Sequence, residues 1–174
     1  CRVMDDTLHF FVNHWPSRRT GKNESDFKMN FVAQIVTYKD DSIYKTNNTP
    51  NIVIMGDLND EPTDESISKI LGAAPNLKYN DSELLINLMH DEYERGEGTH
   101  NNRGDWSVLD NIIVSRYLIE KKNGLKTDKE NGFIFHMPFM EFVNDKGEMS
   151  PNRTYGRNYY GGISDHFPVY FILR

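Results

Sequence analysis

Four stretches of the sequence put oxygen- and imidazole-bearing side chains where an apolar run stops or is broken. They are Asn13-His14 after TLHFFV, Asp57 and Asn59 after NIVIMG, Asp110 within WSVLDNIIVS, and Asp165-His166 before FPVYFIL. Carboxylates and an amide oxygen suit Mg²⁺ or Mn²⁺. The two histidines add groups for proton transfer, or for stabilising the charge of a phosphorane-like transition state. In layered α/β folds such groups meet where strand ends converge, and sites form there. Zinc would call for tighter His/Cys clustering than this sequence shows.

Each stretch also has a purely structural explanation. Asp57 and Asn59 fit an Asx-turn that caps the following helix. Asp110 interrupts a strand pattern, where a buried carboxylate needs a partner or a metal. His14 fits a hydrogen-bonded loop histidine, and Asp165-His166 fits a plain turn. The functional expectation rests on all four together.

The elements that must position these groups can be read from the pattern. Residues 7–13, TLHFFVN, have strand character, and HWPSRRTGKNES reads as a loop. Over 25–38, Phe27, Phe31, Val32, Ile35 and Val36 recur at helical spacing and predict a helix with that apolar face. NIVIMG is a short continuous apolar strand of the kind buried on both faces. Pro62 and Thr63 open a second helix that Gly72 closes. ELLINLMH is compatible with helix or strand, and ERGEGTHNNRGD reads as a loop. WSVLDNIIVS predicts a strand, GFIFHMPFMEFV one or two more, and FPVYFIL a closing strand. The segment NDKGEMSPNRTYGRNYYGGISDH predicts a long loop, a length usually tied to function or mobility. Helices alternate with strands early and strands dominate later, so the expected class is a mixed, layered α/β domain.

Composition sets the limits. The 174 residues fit one domain or part of one, and 37% hydrophobic with 26% charged residues is ordinary for a globular protein. No apolar run approaches the roughly 18 residues of a membrane span. The single cysteine, Cys1, excludes an internal disulfide and leaves the compartment open. A net charge of -6 argues against nucleic-acid binding through bulk positive charge, although bound cations could supply it locally. The opening CRVMDDTLHFF reads as the interior of a longer protein, so the lack of a visible signal peptide is uninformative.

Taken in order, VNHWPSR, IMGDLNDEP, WSVLDNIIVS and GISDHFPV resemble the endonuclease/exonuclease/phosphatase family, the DNase I-like hydrolases. The resemblance spans residues 7–174. It implies a four-layered α/β/β/α sandwich and hydrolysis of phosphate esters with Mg²⁺ or Mn²⁺. It implies that His14 stabilises the phosphate, that Asp57 orients or deprotonates the attacking water, and that Asn59 steadies it. Asp110 resembles the carboxylate that orients the terminal histidine, His166, while Asp165 resembles a metal ligand. The family's main metal-binding Asn and Glu precede the first histidine, in a half of the domain that this sequence lacks. The expectation is therefore that residues 1–174 are the C-terminal part of one such domain, with only half of the sandwich. Such a fragment would be inactive alone, and would expose a sheet face to its missing half or to a second copy.

The substrate is less legible. Arg18 and Arg19 follow His14 closely and could reach phosphate oxygens, or could be solvated surface residues. Arg153, Tyr155, Arg157, Tyr159 and Tyr160 precede Asp165-His166 and could bind or stack on substrate, or form a packed loop. Trp15 and Trp106 fit core or loop anchors. His9, His90 and His136 have no motif, and His100 is the strongest outsider because its loop leads to Trp106. Three functions remain: a metal-dependent phosphodiesterase or nuclease, a phosphatase acting on a small phosphorylated molecule or lipid headgroup, and an inactive fragment that binds or assembles.

Overall fold

The computed structural model describes residues 1–3, 5–18, 22–76, 78, 80, 84–152 and 161–174. Its centre is a sheet of order β1-β2-β3-β8-β5-β4. The strands are β1 (Arg2–Val3), β2 (Asp6–His14), β3 (Asn51–Asp57), β4 (Ala73–Pro75), β5 (Leu85–Asn87) and β8 (Asp110–Ser115). β2 runs parallel to β3, and β8 is antiparallel to both β3 and β5. Between β5 and β8 lie α2 (His90–Glu94) and a hairpin of β6 (His100–Asn102) and β7 (Asp105–Ser107). The stretch ELLINLMH thus supplies a short strand and then the first residue of a short helix.

The apolar run of β3 is covered on both sides, as its composition predicts. Ile52 and Ile54 pack with Trp15, Met29, Ala33 and Val36 beneath α1 (Lys22–Tyr44). Val53 joins Leu8, Ile86, Ile112 and Val114 on the opposite face. There, Ile134, Val169 and Phe171 pack from β9 (Gly132–Ile134) and β12 (Val169–Phe171), an antiparallel pair. The layers are therefore helix, main sheet and a second, smaller strand layer. α3 (Arg116–Glu120) follows β8 directly, and β10 (Glu141–Val143) pairs with β11 (Met149–Pro151) as an outlying hairpin.

The segments expected as loops over 94–105 and 144–166 hold β6 with the start of β7, and β11. Three further local expectations need correction. The first helix is longer than 25–38, and its buried face is Ser25, Met29, Ala33, Val36 and Asp40. Phe27, Phe31 and Ile35 are 77%, 56% and 47% exposed, because they lie about 200° round the helix from that face. Close packing on the sheet selects small and flexible side chains there, which an apolar count overlooks. Residues following Thr63 form a π-helical turn, Ser66–Ile70, rather than a regular helix; Gly72 follows at φ +72°. Asp110 does not sit inside a strand: β7 ends at Ser107, and Asp110 is the first residue of β8.

Candidate active site

The register of the sheet assembles the site. Asp57 pairs with His14 across β2–β3 and with Asp110 across β3–β8. Three of the predicted residues thus occupy one row at one end of the sheet. Gly56, one residue inside the row, has φ +130°, and a Cβ there would overlap the carbonyl oxygen of Asn13. Only glycine fits that close approach between the two parallel strands.

Backbone contacts then fix the loops. The Trp15 amide donates to the Asp57 carbonyl at 2.9 Å, with the Trp15 side chain buried in the core. Asn59 is held at φ +51°, its amide N–H donating to Asp57 Oδ1 at 2.9 Å, so the Asx-turn is real. Its side-chain Nδ2 donates to the Trp15 carbonyl at 3.0 Å. The same short-range geometry that makes the turn also aims the side chains. His14 Nε2 lies 3.4 Å from Asp57 Oδ2.

Asp110 Oδ2 is 2.7 Å from His166 Nδ1. A carboxylate accepts, so Nδ1 carries the proton of this hydrogen bond, and Nε2 is the nitrogen left free of it. Two buried residues set the position of Asp110. Thr99 Oγ1 accepts from the Leu109 and Asp110 amides at 3.1 and 3.2 Å. Asn111 donates to the carbonyl of Asp60 at 3.0 Å and accepts from Asn87 at 2.8 Å, binding β8 to the loop after β3. Neither Thr99 nor Asn111 stands out in sequence, since their role is visible only through contacts distant along the chain.

Charge is crowded here. Burial raises the pKa of Asp57, and the neighbouring Asp110 charge adds to it against the Asn59 amide and the two histidines. Burial opposes charging of His166, but the Asp110 hydrogen bond and the charges of Asp110, Asp57 and Asp165 outweigh it and raise its pKa. Asp57, Asp110 and His166 offer ligand atoms within 4.8 Å of one another, as do His100, Asp165 and His166. Carboxylate and imidazole donors grouped this closely fit a divalent metal.

A cleft of about 830 Å³ gathers His14, Asp57, Asn59, Asp110, Asp165 and His166, so all six of these predicted residues meet in one place. His100 lines it too, its ring centroid 4.8 Å from that of His166. Arg18 reaches the rim, but its guanidinium is held by carboxylates: Nη1 to Asp26 at 2.6 Å, Nε to Asp60 at 2.6 Å and Nη2 to Asp64 at 3.3 Å. Arg19, Arg153, Tyr155, Arg157, Tyr159 and Tyr160 lie outside the described residues. Trp106 stacks on Phe167 at 5.8 Å and anchors the segment after His166.

A sheet layered by a helix on one side and strands on the other, with an acid, amide and imidazole cluster at one end, is the arrangement of DNase I-like proteins. The chain belongs to the Endonuclease/Exonuclease/phosphatase family, whose model matches residues 1–174. Its fold is shared with the crystal structure of SmcL, at 18% identity and a TM-score of 0.54 over 97% of this chain and 54% of that one. It is also shared with a humanized D. rerio TDP2 carrying 14 mutations, at 14% identity and a TM-score of 0.58 over 99% and 57%. The chain thus spans little more than half the length of these two structures. No curated protein matches the sequence.

Proposed function

We propose that this chain carries the catalytic half of a divalent-metal-dependent phosphoester hydrolase that works by in-line attack of water. The observation that carries the proposal is the in-register row His14–Asp57–Asp110, with His166 hydrogen-bonded to Asp110. Asp57, its carboxylate raised by burial, orients the water and accepts its proton. Asn59, locked by its turn, presents its amide to the phosphate or the nucleophile. His166, kept in one tautomer by Asp110, stabilises the developing charge opposite His14. Asp165, beside His166 in the cleft, is the metal ligand. A bound Mg²⁺ or Mn²⁺ would neutralise phosphate oxygens among these carboxylates.

The substrate we favour is a small phosphoester rather than long nucleic acid, because the net charge is -6 and the cleft is rich in carboxylates. Arg18 acts in this reading through the loops that it joins. Arg19 and Arg157 remain the substrate-binding candidates.

We further propose that residues 1–174 are the C-terminal part of the domain, with the remaining metal ligands supplied from outside it. The partial coverage of both matched structures supports this. So does the face of β2 bearing Phe10 and Val12, which are 42% and 79% exposed. That face fits the missing half of the sandwich, or a second copy.

Turnover of bis-p-nitrophenyl phosphate, p-nitrophenyl phosphate and plasmid DNA, with Mg²⁺ or Mn²⁺, tests the proposal on the longer protein that contains this chain. Metal-dependent turnover lost in Asp57→Ala and His166→Ala is expected. Absence of turnover on all three substrates overturns the hydrolase assignment, and variants equal to wild type overturn the site.

A further inference from the structure

We infer that His100, Asp165 and His166 form a second cation position, overlapping the proposed hydrolytic site at Asp165 and His166, that selects an imidazole-preferring ion such as Zn²⁺ over Mg²⁺. Their ligand atoms lie within 4.8 Å of one another, and all three side chains are half-buried at the cleft. Two imidazoles and one carboxylate, with a position left open, form the donor set of three-ligand zinc sites. Mg²⁺ favours oxygen donors and retains its waters, so it gains little from such a set.

Both histidines are already aimed. His166 gives Nδ1 to Asp110 at 2.7 Å, which leaves Nε2 for an ion. A carboxylate behind an imidazole is the outer-shell device that orients histidine on metals and strengthens it as a ligand. His100 is fixed by the backbone: an isolated antiparallel bridge joins it to His166, and the rings are 4.8 Å apart at 44°. Its half-buried ring lines the same cleft as Asp165 and His166. Residues far apart in the sequence are joined by this bridge, which explains why spacing alone argues against zinc.

The site shares Asp165 and His166 with the proposed hydrolytic machinery, and only its effect on turnover rests on that proposal. An ion held there occupies His166 Nε2 and removes the imidazole from its role at the phosphate.

The longer protein that contains this chain, purified and titrated with Zn²⁺ against a chromophoric chelator at pH 7.5, tests the site directly. One Zn²⁺ per chain is expected, undisturbed by millimolar Mg²⁺. Removing a direct ligand should cost at least the ~10-fold typical of an outer-shell partner, so His100→Ala and Asp165→Asn should each weaken binding by that much. His9→Ala, on β2, should match wild type. In wild type, histidine ring resonances of His100 and His166 should move on Zn²⁺ addition, which requires no variant to fold. Unmoved resonances, or His100→Ala with wild-type affinity, overturn the site. Because binding is read without turnover, a chain that proves catalytically inert leaves this result decisive.

Discussion

Arg18, in the segment after β2, closes onto Asp60, in the segment after β3: Nε lies 2.6 Å from Oδ1, and Asp60 is only 1% exposed. One ion pair thereby joins the loop that follows His14 to the loop that holds Asn59, and Ser66 also donates to Asp60. Removing Arg18 leaves a buried carboxylate without its cation. Arg18→Ala should lose ~2–3 kcal/mol of stability, the scale of a hydrogen bond to a charged group. Denaturant unfolding of Arg18→Ala, Asp60→Asn and the double variant reads this as a coupling energy. Strict additivity would remove the clamp.

Asp110→Asn preserves shape but allows the wrong tautomer of His166. Turnover should fall by about 10²–10⁴-fold, as for other carboxylate–histidine pairs, with far-UV circular dichroism unchanged. Wild-type turnover in this variant would show that the 2.7 Å contact has no catalytic role.

Gly56→Ala forces a side chain onto the Asn13 carbonyl at φ +130°. Strain of this type costs about 1–3 kcal/mol before the overlap is counted. The midpoint of urea unfolding should drop accordingly, and turnover should drop with it because His14 and Asp57 flank the site of overlap.

Thr99→Val leaves the Leu109 and Asp110 amides without their shared acceptor. A loss of about 1–3 kcal/mol is expected for the unsatisfied group. Thr99→Ser, which keeps the oxygen, should recover most of it in the same unfolding experiment.

Asp40 gives a pH signature remote from the site. It is buried on α1, its Oδ1 has no hydrogen-bond partner among the described residues, and burial, then the Asp41 charge, pushes its pKa up to about 7. A carboxyl raised above its unfolded value of about 4 penalises the folded state as it ionises. The penalty is absent below pH 4, grows between pH 4 and 7, and is complete above 7. The melting temperature of Asp40→Asn relative to wild type should therefore rise with pH across that window. A difference that stays flat from pH 4 to 8 would show that Asp40 ionises freely.

The apolar strands were legible because burial on both faces demands an uninterrupted run, and Ile52, Val53 and Ile54 supply one. The strand-end residues were legible because polar groups after such a run need a reason. Thr99, Asn111 and the helix face led by Met29 were not, since their partners lie on other elements and nothing local marks them. In sequence, Arg18 reads equally as a phosphate-binding candidate beside His14 or as a solvated surface residue. Its three carboxylate partners come from α1 and the segment after β3, which only folding brings to it.

The shared row of His14, Asp57 and Asp110 makes the spacing of this centre discontinuous. A strand slipped by one residue turns its side chains to the opposite face, and the next allowed position is about 7 Å away. Fine adjustment along that coordinate is unavailable to mutation. Variation in what the cleft can admit falls instead to the exposed turns of the β6–β7 and β10–β11 hairpins, which border the neighbouring cavity of about 410 Å³ and tolerate change more readily than paired strands.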